Sequence, residues 1–391
     1  MMIRWCALFL WLGWRVWAVG PEVLYLSWMR DPTTTMVVQW HTDQAGASST
    51  VAVRKASETA WKEVKGLERQ LTGNAIWVHT VELTGLRPGT EYAFRVDGES
   101  EVYRFRTMPQ TLSHKVRFAV GGDIDDRDSV YQEMSRVVAK EDPDFVVLGG
   151  DIAYTLGTSR GKELDRQGAR WQTFLKAWKQ NMVTSDGRLI PMLVLVGNHD
   201  VERGRADPRQ KTELFYEVFA FPTWYEAYRQ LVFGDYLSWI FLDTNHTWPV
   251  ESQTAWLAKA LVQPTPWKMV AYHVAAFPAY YPYRSPTSQE IREQWVPLFQ
   301  EHKVDVVFEN HNHCYKRSRP LEGVLYLGDG SWGVPPRPPH SELYLAKATQ
   351  QNVAFVVTLE EGKCTITPLT RGGELIEQPI VLIQQSRKKQ R

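Results

Sequence analysis

The sequence predicts two domains, an all-β sandwich followed by an α/β domain, and three observations carry that reading. From Pro21 to Pro109, short alternating apolar and polar runs follow one another with turn residues between them. From Lys115 onward, apolar runs are separated by segments of helical period. The chain has 391 residues, more than a single core ordinarily organises. Its 43% hydrophobic and 23% charged residues exclude collagen-like, coiled-coil and largely disordered architectures.

The first 18 residues, MMIRWCALFLWLGWRVWA, have a basic start, an apolar run from Trp5 to Trp14, and Val16 and Ala18 spaced as small residues are before a signal-peptidase cut. Residues 1–18 therefore read as a signal peptide, and the protein as secreted or periplasmic. No later segment reaches roughly 18 consecutive apolar residues, so no membrane span is expected after signal removal. Only Cys314 and Cys364 then remain, and either one disulfide or two buried thiols satisfies the sequence. Lys and Arg number 45 against 44 Asp and Glu, but six of the basic residues lie in the signal and in the tail 385–391. The body between them is mildly acidic, so no nucleic-acid binding is expected, and an anionic substrate would need a local cationic centre.

Within 21–109, strands are expected at Glu22–Met29, Thr35–His41, Ser49–Lys55, Ile76–Leu83, Thr90–Asp97 and Glu101–Thr107, about what an antiparallel sandwich of this size contains. Alternation is clearest in Val37-Val38-Gln39-Trp40 and Tyr92-Ala93-Phe94-Arg95-Val96. After a linker at Met108–His114, the second domain, 115–384, has buried strands expected at Val116–Val120, Asp144–Leu148, Pro191–Val196, Trp239–Leu242, Lys268–Tyr272 and Val304–Phe308. Helices are expected at Ser129–Glu141, Gly168–Asn181, Ser252–Leu261 and Ser288–Glu301. Asn352–Ile383 returns to alternating runs and reads as a closing hairpin or edge addition, and residues 385–391 as a frayed basic tail.

Five of those strands end in polar clusters: Gly121-Gly122-Asp123, Gly149-Gly150-Asp151-Ile152-Ala153-Tyr154, Gly197-Asn198-His199-Asp200, Val270-Ala271-Tyr272-His273 and Asn310-His311-Asn312-His313. The carboxyl ends of strands in an α/β domain gather on one rim, so these clusters should converge. Asp123, Asp151, Tyr154, Asn198, His273, His311 and His313 offer carboxylates, a phenol, an amide oxygen and imidazoles, a donor mix suited to iron, zinc or manganese. Seven ligands exceed what one ion takes from side chains, whereas two ions about 3.5–4 Å apart would use them all with one shared.

These motifs resemble those of the purple acid phosphatases, a family of the metallophosphoesterase superfamily, whose pattern is GDxG, GDxxY, GNH(E/D), VxxH and GHxH in that order. Leu83-Thr84-Gly85-Leu86-Arg87-Pro88-Gly89-Thr90-Glu91-Tyr92 resembles the corner before the sixth strand of a fibronectin type III domain, which the family carries in front. The resemblance implies a layered αββα catalytic domain. It also implies that Asp123, Asp151, Tyr154 and His313 hold a ferric ion, and that Asp151, Asn198, His273 and His311 hold a divalent ion (Fe, Zn or Mn), with Asp151 bridging. The implied activity is hydrolysis of a small phosphate monoester, a metal-held hydroxide attacking phosphorus in line. The alternatives are a phosphodiesterase or nucleotide hydrolase, or a surface-binding protein with a vestigial phosphatase domain.

Departures from the family pattern sharpen the expectations. Asp125 stands where the family often has Gly, and with Asp126 and Asp128 it reads as a solvated cluster at the start of the helix beginning at Ser129. Asn310 replaces a Gly and is the non-glycine residue that best tolerates a left-handed turn. The loop after His273, Ala279-Tyr280-Tyr281-Pro282-Tyr283-Arg284, lacks the histidine that much of the family has there. His199 is then the leading catalytic candidate, and Tyr281, Tyr283 and Arg284 are candidate substrate contacts. Without a further proton donor, esters whose leaving groups depart unprotonated are favoured. His41, His79, His114, His246, His302 and His340 have no spacing partner and read as core or surface residues. Asp329-Gly330-Ser331-Trp332-Gly333 reads as a turn near the site.

Overall fold

The computed structural model describes residues 20–384 except 45–47, 98, 126–128, 156–163, 202–212, 224–225 and 329. The expected signal segment and basic tail, and Asp126, Asp128 and Asp329, lie outside the described residues.

The N-terminal strands are β1 (Leu24–Ser27), β2 (Met36–Thr42), β3 (Thr50–Lys55), β4 (Lys62–Lys65), β5 (Leu67–Gln70), β6 (Trp77–Leu83), β7 (Glu91–Val96) and β8 (Tyr103–Arg106). They form two four-stranded sheets, β1-β2-β6-β5 and β4-β3-β7-β8. Alternate residues of each, such as Leu24, Leu26, Val38 and Trp40 from one and Val51, Val53, Phe94 and Phe105 from the other, fill the space between them. β4 and β5 escaped the hydrophobic reading because nearly all their side chains are exposed. The corner before β7 is held as the sequence suggested: the Arg87 amide donates to the Tyr92 hydroxyl at 2.8 Å, and Gly89 takes φ +60°.

The second domain comprises β9 (Val116–Gly121), β10 (Phe145–Leu148), β11 (Met192–Val194), β12 (Arg229–Phe233), β13 (Leu237–Phe241), β14 (Trp267–Val274), β15 (Val306–Asn310), β16 (Tyr315–Ser318), β17 (Leu325–Gly328), β18 (Leu345–Thr349), β19 (Ala354–Glu360), β20 (Lys363–Leu369) and β21 (Ile380–Ile383). The helices are α1 (Ser129–Ala139), α2 (Leu164–Asn181), α3 (Glu213–Val218), α4 (Val250–Ala260), α5 (Pro286–Gln294) and α6 (Val296–Glu301). One sheet runs β11-β10-β9-β19-β20-β21 and the other β12-β13-β14-β15-β17-β16-β18. Within them, β9 to β11 are mutually parallel, as are β13, β14, β15 and β17.

Strand parity builds the layers. Val116, Phe118 and Val120 of β9 and Met269 and Ala271 of β14 belong to the core between the sheets. Ala119 turns outward to the helices over the first sheet, and Val270 and Tyr272 turn outward to the helices over the second. The order is therefore helices, sheet, sheet, helices. The expected closing hairpin is β19–β20, and β19 pairs antiparallel with β9, so the chain's last strands enlarge the first sheet. The single helix expected at Ser288–Glu301 is instead two, α5 and α6, meeting at Trp295. Pro297 lacks an N–H and its ring would clash with the preceding turn. Cys314 and Cys364 are buried free thiols.

The two domains share one core. Trp28 lies edge-on to Phe145, the first residue of β10, at 5.9 Å and to Phe233 at 6.1 Å. This contact is at the amino end of β10, opposite the rim where β10 delivers Asp151. Elsewhere along the interface, His41 is buried between the Tyr25 hydroxyl, 3.2 Å from Nε2, and the Gln172 amide of α2, 2.8 Å from Nδ1. Burial, with the charge of His79 adding, pushes the His41 pKa down to about 3 from an ordinary 6.5. The folded protein thus keeps His41 neutral while the unfolded chain takes up a proton below pH 6.5, so this group's contribution to stability falls as pH drops through that window. Between pH 6.5 and 5 the loss is about 2 kcal/mol at roughly 1.4 kcal/mol per pH unit. Denaturant unfolding of wild type and His41→Gln at both pH values should show that loss in the wild type and a smaller one in the variant. Equal losses would contradict the assignment.

Candidate metal centre

Both sheets deliver their carboxyl ends to one rim. Asp123 follows β9, Asp151 and Tyr154 follow β10, and Asn198 follows β11, all from the first sheet. His273 lies at the end of β14, and His311 and His313 follow β15, from the second. Parity sets the direction: Met269 and Ala271 face the inter-sheet core, and His273 continues that face.

The seven residues meet. One ligand atom from each of Asp123, Asp151, His273 and His311 lies within 4.8 Å of the others. His313 Nε2 is 3.0 Å from Asp123 Oδ1, and the Tyr154 hydroxyl is 3.4 Å from both Asp123 Oδ1 and His313 Nε2. Asn198 Oδ1 is 3.2 Å from His273 Nε2, which is also 3.3 Å from Asp151 Oδ2. The geometry falls into two groups, Asp123 with Tyr154 and His313, and Asn198 with His273 and His311, with Asp151 in reach of the second. His273 Nδ1 donates to the Gly149 carbonyl at 2.8 Å, which turns Nε2 toward the carboxylates, as in a histidine oriented for a metal.

The local backbone is strained where these groups are presented. Asp123, Asp151, Tyr154, His311 and His313 have φ between +48° and +68°, five of the eleven non-glycine residues in the left-handed region among the described residues. Each such residue costs roughly 1–2 kcal/mol and persists only where its surroundings impose it. Asp200 imposes part of it: its carboxylate accepts the amides of Asp151 (2.8 Å), Ile152 (3.1 Å) and Gly197 (2.9 Å), tying two site loops together. Asp123 does likewise for His311, whose amide it accepts at 2.9 Å. Asn310 does not take the expected left-handed turn; it ends β15 in extended form, and His311 and His313 make the turns instead. Its side chain runs inward between the sheets, where a Cβ on Gly122 or Gly149 would come within 2.5 Å or 1.9 Å of its amide atoms. Those glycines make room for an asparagine where the family pattern has glycine.

Charge and unmet polar atoms fit cations at this rim. Among the described residues Asp151 Oδ2, which His273 Nε2 approaches at 3.3 Å, and His311 Nδ1 are buried without a hydrogen bond, the positions a metal ion would satisfy. Burial would raise the Asp151 carboxyl, but the imidazole of His273, with those of His199 and His311, outweighs it and holds the group below the usual carboxylate range. Burial would likewise lower His273, yet the Asp151 and Asp123 carboxylates push it up to about 10. Asp200, buried beside Asp151, is pushed up to about 7. Tyr154 is raised well above its ordinary value by burial and by the surrounding carboxylates. His311 is pushed the other way, well below its ordinary value, by burial and by the charge of His273, so the two buried carboxylates favour a proton on His273 alone and call for positive charge.

His199 sits at the mouth of the site. Its amide donates to Asp151 Oδ1 at 2.6 Å, its ring stacks on Tyr154 at 4.3 Å, and its side chain is 24% exposed, within reach of solvent. Of the three expected substrate contacts, only Tyr281 joins the site, its ring stacked on His311 at 4.5 Å. Tyr283 is exposed and packs against Arg292 and Tyr344, and Arg284 is exposed with no bond to the seven residues among those described. Asp125 is buried and paired with Arg170 of α2 at 3.0 Å, not solvated as expected. Two site neighbours were missed. His246, from the loop after β13, lies 5.4 Å from the His273 ring, and Arg337 hydrogen-bonds to the Tyr281 hydroxyl at 2.7 Å. Neither has a spacing signal, because each arrives from a distant loop. The segment expected near the site lies there in its described part: the Trp332 amide donates to the Gly122 carbonyl at 3.0 Å.

Comparison with known proteins agrees with this geometry. A family model described as purple acid phosphatase, N-terminal domain, matches residues 21–107, and one described as calcineurin-like phosphoesterase matches residues 116–315. Purple acid phosphatase 15 of Arabidopsis thaliana is 25% identical over 368 residues, covering 82% of this chain and 65% of that protein. The chain thus spans somewhat less than two thirds of that relative's length. The structure of purple acid phosphatase PPD1 from yellow lupin (Lupinus luteus) seeds is similar in fold, with a TM-score of 0.77 at 16% identity, over 94% of this chain and 75% of that one. The structure of PhoD gives 0.68 at 14% identity, over 94% and 91%. With half of its length matched by one family model and its β domain by another, the chain belongs to the calcineurin-like phosphoesterase family and carries a purple acid phosphatase N-terminal domain.

Proposed function

We propose that this protein hydrolyses phosphate monoesters at a dinuclear metal centre, as a purple acid phosphatase does, and that it works outside the cytoplasm after loss of residues 1–18. The observation that carries the reading is the convergence of Asp123, Asp151, His273 and His311 with Tyr154, Asn198 and His313 on one rim, from two sheets. Asp123, Tyr154 and His313 would hold a ferric ion, Asn198, His273 and His311 a divalent ion of iron, zinc or manganese, and Asp151 would be shared. Such a pair of cations supplies Lewis acidity toward phosphate oxygens and a hydroxide nucleophile near neutral pH.

The chain's own groups do the rest. Tyr154 is a hard oxygen donor suited to Fe(III), and neutral Asn198 with two imidazoles leaves the other position less negative. His199, anchored through its amide and stacked on Tyr154, presents its ring to an incoming ester as a hydrogen-bond donor to the phosphate. Because no histidine stands in the Ala279–Arg284 loop, leaving groups that depart as stable anions, such as phenolates, are favoured.

Metal-replete protein should cleave an aryl phosphate monoester faster than the corresponding diester; the reverse order would move the reading to a phosphodiesterase. His199→Ala should lower kcat by about 100-fold while both metals stay bound, and metal loss in that variant would make His199 a scaffold residue. The ferric assignment has its own test: the oxidised protein should show a visible charge-transfer band that Tyr154→Phe abolishes with iron retained. An iron-loaded wild type without the band would detach Tyr154 from the metal.

A further inference from the structure

We propose that Arg337 is a phosphate-binding residue of this site, held in place by Tyr281; the inference rests on the phosphoesterase reading above and extends it to substrate positioning. Arg337 lies in the loop Pro335-Pro336-Arg337-Pro338-Pro339, where four prolines fix φ and remove backbone freedom. The loop is pinned to the site. The Arg337 amide donates to the carbonyl of His313 at 2.6 Å, and the His340 amide to that of Ala279 at 2.6 Å. One end of the loop is thereby tied to a candidate ligand and the other to the segment that carries Tyr280 and Tyr281.

The guanidinium is set over the aromatic wall of the site. Its Nη1 donates to the Tyr281 hydroxyl at 2.7 Å, and its centre lies 4.9 Å from the Tyr280 ring and 5.6 Å from the Tyr281 ring. The Tyr281 ring stacks in turn on His311, at 4.5 Å and 15°. Arg337 is thus one aromatic ring removed from the candidate metal ligands on the His311 side, and half-buried.

Among the described residues no carboxylate pairs with it. The other arginines nearby are committed or turned away: Arg170 is paired with Asp125, Arg292 bonds to the carbonyls of Ala276 and Tyr283, and Arg284 is exposed. A guanidinium has five donors in a planar fork that suits phosphate oxygens, and Arg337 spends one on Tyr281. An immobilised cation with donors in hand, beside a site that binds an anion, orients the phosphate from the Tyr281–His311 side.

The test measures inorganic phosphate binding to metal-replete protein by calorimetry, alongside metal content and steady-state kinetics. Arg337→Ala should weaken phosphate by about tenfold or more with metals retained, and raise KM for an aryl monoester more than it lowers kcat. Tyr281→Phe, which frees the guanidinium, should produce a smaller change of the same kind. Arg337→Ala with wild-type phosphate affinity and full metal content would overturn the proposal. If that variant loses metal, Arg337→Gln is judged by the same criterion. Arg337-dependent phosphate binding in a protein that cleaves no ester would keep this inference and remove the proposed function, so the two can fail separately.

Discussion

Two carboxylates buried at the junction of two sheets are the constraint on which the rest of this structure depends. Asp123 and Asp151 are fully enclosed, and burying charge is tolerated only with compensating charge and hydrogen bonds. The compensation is visible residue by residue: His313 and the His311 amide on Asp123, His273 and the His199 amide on Asp151. Left-handed turns put the ligands in position, Asp200 braces their backbone, and glycines leave room for Asn310 to cross between the sheets. Two orphaned atoms, Asp151 Oδ2 and His311 Nδ1, show what the protein groups alone leave unfinished.

The β domain supports this arrangement from the far end. Its aromatic contacts reach the amino end of β10 through Trp28, and its buried His41 and Tyr25 meet α2 and α3. The end of the second domain opposite the rim is thereby closed by a shared core. The large tryptophans follow the same logic: Trp28, Trp171, Trp239, Trp295 and Trp332 are buried as packing elements.

Much of this was legible in the sequence because strand parity and glycine-flanked acidic endings are local signals. The five motif-bearing strand ends follow from apolar runs followed by Asp, Asn and His, whereas the layer order was implied by the family resemblance that those motifs carry. What stayed hidden was non-local or polar. β4 and β5 are charged strands without a buried face, α5 and α6 part at a proline inside a continuous helical pattern, and Asp125 looked solvated until α2 brought Arg170 to it. His246 and Arg337 reach the site from loops with no motif of their own. Tyr283 and Arg284 shared a loop with Tyr281, but only Tyr281 turns toward His311, a choice made by packing against Arg292 and Tyr344.

The central claim is that one rim holds two ions through a shared Asp151. Elemental analysis of metals per folded chain, in wild type and in Asp151→Asn, tests it most directly. The account requires two ions per chain in the wild type and loss of both sites' occupancy in the variant, since each ion loses a ligand. A wild type that saturates at one ion, or an Asp151→Asn protein that retains two, would contradict it.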